Sequence, residues 1–250
     1  MKGKIGLQLY SIRNVIDKEN LEEVLEEVKA IGYEGVEFFD FYGKSAHEIA
    51  RIMEKVNLEP ISSHVDYEKI LKNTEETIGF HKEIGCKNII VPWLSEKRFK
   101  DKDAVKETAK DLSELAERVE ERGLKLGYHN HDQEIVKVND ITAFELFDKL
   151  ISDKLMIQPD VGNAEKAGID AAEYFFGFKS EFISLHVKDA KRKGGAEAPL
   201  GEGDVNLKKY IQMGERRNIS WYIIENEGST APMNAVRNDF NFLNSLKIQS

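Results

Sequence analysis

Short apolar runs rich in Ile and Val alternate along this chain with longer charged segments whose apolar residues recur three and four apart. The first kind reads as buried strand, the second as amphipathic helix. The first run is IGLQLY at 5–10, followed by the helical segment NLEEVLEEVKAIG, with Asn20 as N-cap and Gly32 at its end. GVEFF (35–39), EPISSHV (59–65), GCKNIIVPW (85–93) and LKLGYHN (124–130) repeat the strand pattern. LMIQPDV (155–161), FISLHVKD (182–189) and SWYIIENE (220–227) complete it. Helical segments fill the intervals: from about Ser45, from about Tyr67, from Asp103 to Arg122, and near 142–151, 169–178, 206–216 and 231–246.

Strict alternation of strand and helix implies parallel strands joined by crossovers. Eight such units in 250 residues predict a single (β/α)₈ TIM barrel spanning residues 1–250. A doubly wound open sheet usually carries a glycine-rich turn after its first strand. LQLYSIRN, which follows here, has none.

Composition narrows the function. Hydrophobic residues make up 41% of the chain, enough for a large core. The net charge of −9 disfavours a nucleic-acid partner, since phosphate binding depends on basic patches. Cys86 is the single cysteine; it cannot form an internal disulfide and reads as a buried structural thiol. No stretch is long and apolar enough for a membrane span or signal peptide, so a cytoplasmic enzyme with no membrane partner is expected.

Active sites of such barrels lie at the C-terminal ends of the strands. The polar residues there are Gln8 and Tyr10, Glu37, His64, Trp93, His129 and His131, Asp160, His186 with Lys188 and Asp189, and Glu225 with Glu227. Each alone reads as a cap or loop hydrogen bonder; their recurrence at one end of eight strands points to a site. His47 and His81 fall on predicted helices and read as solvated. Asp160, His186 and Glu225 suit a divalent cation of mixed N/O preference, such as Mn²⁺, Co²⁺, Zn²⁺ or Fe²⁺.

GLQLYSIR, GYEGVEFF, SSHV, GYHNHDQE, PDVGNAEKAG, LHVKDAK, PLGEGDVNL and YIIENE together resemble the xylose-isomerase-like barrel superfamily, in its branch of sugar phosphate isomerases/epimerases. The resemblance covers nearly the whole chain. It implies one divalent metal (Mn, Co, Zn, Fe or Mg) held by residues of strands five to eight. Asp160, His186 and Glu225 match three ligands. Ketose 3-epimerases have a glutamate in strand five; here that register falls on His129, and the fourth ligand is His129, His131 or Glu134.

The resemblance further implies enolisation of a small sugar or keto-sugar beside its carbonyl, the metal acting as Lewis acid. Glu225 is the expected base and His129 a candidate second one, although a histidine bound to metal has given up the lone pair a base needs. Lys188 would orient substrate oxygens, or pair with Asp189 or Glu225. Gln8, Glu37, His64, His131 and Lys166 are expected to bind substrate, and Trp93 to cover an apolar sugar face. The proton's fate separates isomerase or epimerase from a lyase or dehydratase of a keto-sugar or inosose. No glycine-rich phosphate cradle occurs, so a neutral sugar is at least as well matched as a phosphate. Rivals are a non-catalytic sugar-binding barrel and an apurinic-site endonuclease, the latter opposed by the acidic charge. Homo-oligomers are expected only by analogy with relatives.

Overall fold

The eight apolar runs form one parallel sheet: β1 (Lys4–Gln8), β2 (Gly35–Phe38), β3 (Glu59–His64), β4 (Asn88–Val91), β5 (Lys125–His129), β6 (Leu155–Gln158), β7 (Leu185–Val187) and β8 (Trp221–Ile224). The computed structural model describes residues 2–138, 140–191 and 195–248. Hydrogen bonding runs in the order β6-β5-β4-β3-β2-β1-β8-β7. Parallel bridges at Ile157–Phe182 and Asp160–His186 join β6 to the β7 segment, with His186 N donating to Pro159 O at 2.9 Å. The fold is a (β/α)₈ TIM barrel.

The helices α1 (Leu21–Ile31), α2 (Ala46–Val56), α3 (Tyr67–Lys72), α4 (Thr74–Glu83), α5 (Lys102–Glu120), α6 (Ala143–Leu150), α7 (Val161–Lys166), α8 (Ala171–Phe176), α9 (Leu207–Arg216) and α10 (Pro232–Ile248) occupy the connections. Ser45 and Thr142 start α2 and α6 with reciprocal capping boxes. Each cap contributes about 1 kcal/mol. No described helix is long and apolar enough to cross a membrane.

The strands are buried on both faces, as GVEF and LMIQ illustrate. In β5 the side chains alternate, and this decides the site. Tyr128 points outward, packing against Phe99, Phe144 and Phe147 with ring centroids 5.3–6.1 Å apart. His129 then faces the barrel interior. Gly127, two residues earlier on the same inward face, packs closely: a Cβ there would lie 2.7 Å from Ile90 Cδ1.

Four sequence expectations need correction. Asn20 occupies the N-cap of α1 as expected but makes no side-chain cap bond; its Oδ1 accepts from Asp17 N at 2.8 Å and its Nδ2 donates to Val15 O, closing the preceding turn instead. The helix from Tyr67 is two, broken at Asn73. The expected 169–178 helix is α8, and an additional helix, α7, precedes it, started by Asp160. His81 is buried on α4, where Ser63 Oγ meets its Nε2 and Thr77 O its Nδ1 at 2.6 Å. Its helical face is the inner one, and burial pushes its pKa down to about 4. His47 is exposed and Cys86 buried, as the sequence suggested.

Candidate metal centre and pocket

Register places the site. Gln8 pairs with Glu37, and Glu37 with Ser62, across β1, β2 and β3. A bulge between Val36 and Glu37 skips Ile61 and brings Ser62 beside the carboxylate. His129 pairs with Gln158 across β5 and β6. His186 pairs with Ile223 in β8, one residue before β8's end, and bridges Asp160 on its other side. These pairings bring polar side chains together at the C-terminal end of the barrel.

Four of them, His129, Asp160, His186 and Glu225, each offer a ligand atom within 4.8 Å of the others, and all four are buried. His129 Nε2 lies 3.7 Å from Asp160 Oδ2. His186 Nδ1 lies 3.9 Å from the same oxygen and 3.1 Å from Glu225 Oε2. Asp160 Oδ1 caps α7 by accepting from Asn163 N at 2.8 Å. Its Oδ2 is buried and accepts no hydrogen bond from the described residues. A carboxylate oxygen with no hydrogen bond, facing two imidazoles and a second carboxylate, is a donor set that fits a divalent cation.

Lys188 enters from the pocket side. Its ammonium lies 2.8 Å from Glu225 Oε2, 2.5 Å from Glu227 Oε1, 3.5 Å from Asp160 and 3.8 Å from Glu197. Gly162 makes room for it: a Cβ there would sit 2.6 Å from Lys188 Cβ. Burial opposes charge on Lys188, but Glu225, Asp160, Glu227 and Glu197 outweigh it and hold its pKa well above the usual value. Burial likewise opposes charge on Glu225, and Lys188 with His186 holds its pKa well below the usual carboxylate range. For His186, burial is outweighed by Glu37 and Glu225, which raise its pKa to about 10. Burial, with His186, His64 and His131 nearby, pushes His129 well down. His129 is therefore neutral and keeps a lone pair for a cation, whereas His186 carries a proton on Nδ1 that a cation binding there would displace.

A cavity of about 400 Å³ opens above the cluster. His129, His131, His64, Lys188, Glu225 and Glu227 line its polar part; Tyr10, Phe39, Pro92 and Trp93 line its apolar part. Trp93 is half exposed and projects into the mouth.

Several residues that the sequence assigned to the pocket or the metal sit elsewhere. Gln8 and Glu37 are fully buried beneath the cavity, joined at 2.7 Å, and do not line it. Glu134 sits on the short 3-10 turn 132–134 after β5: it accepts from Tyr128 Oη and from His131 N, both at 2.7 Å, and is outside the four-residue cluster. Burial raises its pKa to about 7. Lys166 pairs with Glu197 at 3.5 Å, outside the cavity lining. Asp189 turns away from Lys188 and accepts from the backbone N–H groups of Ala190, Gly201, Gly203 and Val205, organising the GEGD loop.

Sequence reasoning overlooked two residues. Gln158 donates to Glu37 and Ser184 and meets both His64 and His129. Asn130, between the two histidines of YHNH, accepts from Asp160 N at 2.9 Å and through its own carbonyl from Asn163 Nδ2 at 3.1 Å, tying β5 to the start of α7. An amide inside an apolar strand was the available signal for Gln158.

Residues 25–246 match the family described as xylose isomerase-like TIM barrel. The chain belongs to that family. Among relatives of this xylose isomerase-like barrel is an inosose dehydratase of Clostridium perfringens (strain 13), 22% identical over 247 residues, covering 84% of this chain and 83% of that one. A sugar phosphate isomerase/epimerase from Parabacteroides distasonis ATCC 8503 superposes with a TM-score of 0.83 at 22% identity, covering 97% of this chain and 94% of that one. The IolI protein, solved with a bound zinc atom, superposes with a TM-score of 0.73 at 13% identity, covering 97% of each chain.

Proposed function

We propose that this xylose isomerase-like barrel is a divalent-metal-dependent sugar or keto-sugar isomerase/epimerase that works by removing a proton beside a carbonyl. The observation that carries this is the convergence of His129 Nε2, Asp160 Oδ2, His186 Nδ1 and Glu225 at the floor of an open cavity, with Asp160 Oδ2 accepting no hydrogen bond from the described residues. The zinc in the IolI relative supports the same reading. A divalent cation held there supplies Lewis-acid stabilisation to the oxyanion that develops as the substrate enolises.

The chain's own residues do the rest. Glu225 is a carboxylate open to the cavity and takes the proton from carbon. Lys188, held by Glu225 and Glu227, presents its ammonium to substrate oxygens at the cavity wall. His129 is committed as a ligand, so the second base at the β5 end is His131, which lines the cavity beside it. Trp93, Tyr10 and Phe39 cover the C–H face of the sugar.

One observation favours a second reading. Lys188 and Glu225 stand 2.8 Å apart as an acid beside a base, which suits loss of a β-hydroxyl as water, and the inosose dehydratase relative carries that activity in its name. Incubation of the metal-loaded protein with neutral ketoses and inososes, followed by product NMR, separates the two. Stereoisomeric products support the isomerase/epimerase; an unsaturated or dicarbonyl product with loss of water supports the dehydratase. No turnover of any member, with cation bound, would sink both.

A further inference from the structure

Glu37 has five polar partners although no part of it is exposed. Its Oε1 accepts from Gln8 Nε2 at 2.7 Å and meets Nε2 of His64 at 3.0 Å and of His186 at 2.6 Å. Its Oε2 accepts from Ser62 Oγ at 2.5 Å and from Gln158 Nε2 at 2.6 Å. We propose that Glu37 is a positioning residue that fixes which ring nitrogen each site imidazole presents to the cation: Nδ1 of His186, but Nε2 of His129. This rests on the cation-binding reading above.

The hydrogen bonds dictate the assignment. Glu37 takes Nε2 of His186 at 2.6 Å, so the nitrogen left facing Glu225 and Asp160 is Nδ1. A carboxylate behind a ligating imidazole sets its tautomer and raises its basicity. For His129 the control is indirect. The Gln158 amide group donates to Glu37 Oε2 and to Ser184 Oγ, which orients its carbonyl oxygen toward His129 Nδ1 at 3.0 Å. Reversing that amide would set its oxygen against the Glu37 carboxylate and its N–H₂ against His129. His129 Nδ1 must then carry the proton, and Nε2 presents its lone pair toward Asp160. An ionised carboxylate is the one side chain that accepts from every direction at once.

The test uses the full-length protein with ¹⁵N-labelled histidine rings, loaded with Zn²⁺. Ring-nitrogen shifts and couplings, assigned with single-histidine variants, report the metal-bound nitrogen. Zinc on Nδ1 of His186 and on Nε2 of His129 is expected. Zinc on Nε2 of His186, or on the same nitrogen of both rings, would overturn the proposal. Chelator competition gives a second readout. Glu37→Gln should weaken Zn²⁺ by about tenfold to a hundredfold, whereas Ser62→Ala, which leaves the Glu37 contacts to His186 and Gln158 in place, should keep wild-type affinity. Wild-type affinity in Glu37→Gln would also overturn it. If that variant fails to fold, the ring-nitrogen readout on the wild type decides alone. A wild-type protein that binds no Zn²⁺ would overturn the cation-binding reading itself, and this inference with it.

Discussion

Asp160 and His186 face each other across the seam that closes the barrel, joined by a parallel bridge with Nδ1 of the histidine 3.9 Å from Oδ2 of the aspartate. The seam thus builds half of the proposed metal site. Asp160 also caps α7 through its other oxygen. Asp160→Asn keeps an oxygen for that cap, so the melting temperature should shift by only a few degrees. Cation affinity should fall by more than about tenfold, since a charged ligand is lost. Calorimetric titration checks this, and unchanged affinity would remove Asp160 from the site.

The strand-five ligand is decided by a pair of variants. His129→Ala should abolish measurable cation binding. Glu134→Gln should leave it at the wild-type level, because Glu134 is turned toward Tyr128 Oη and His131 N. Metal analysis of both purified proteins distinguishes them, and the reverse pattern would make Glu134 the ligand.

His81 predicts a pH effect remote from the cluster. Its folded pKa is pushed by burial from 6.5 down to about 4. Above pH 6.5 the ring is neutral in both states and contributes no pH dependence. As pH falls from 6.5 toward 4 the unfolded chain binds the proton first, so stability is lost across that window, by about 3 kcal/mol at most. His81→Gln should flatten this part of the profile in urea unfolding at pH 7, 5.5 and 4.5. An identical slope in both proteins would contradict the assignment.

Asp189 predicts a loop effect. Asp189→Ala removes the acceptor for four backbone N–H groups. Partial rehydration of this part-buried turn limits the cost to roughly 3 kcal/mol. A lower melting temperature and faster proteolysis near 199–205 are expected, with the cation affinity retained. Unaltered stability would show that the loop holds its shape without Asp189.

The barrel was legible because its signal is periodic and local: apolar strand, amphipathic helix, eight times over. The cluster residues Asp160, His186 and Glu225 were legible because they lie within two residues of a strand's C-terminal end. Direction was harder to read. Glu134 lies near His129 in sequence, yet it sits on the short 3-10 turn 132–134 beyond β5, where Tyr128 Oη and His131 N hold its carboxylate. Glu37 was expected in the pocket, but its place depends on a bulge in β3 and on partners from four other strands. His81 lies on the inner face of α4, which the break at Asn73 orients. These features depend on long-range register, which no local window contains.

Proton removal beside a carbonyl by Glu225, aided by a cation at the cluster, is the step on which the proposed function stands. Hydrogen–deuterium exchange in D₂O measures it directly, with the cation-loaded protein and a panel of neutral ketoses and inososes followed by NMR. Deuterium is expected at the carbon beside the carbonyl for at least one substrate, and should be lost in a folded Glu225→Gln variant. Exchange that continues at the wild-type rate in Glu225→Gln, or no exchange by the cation-loaded wild type across the panel, would contradict that role.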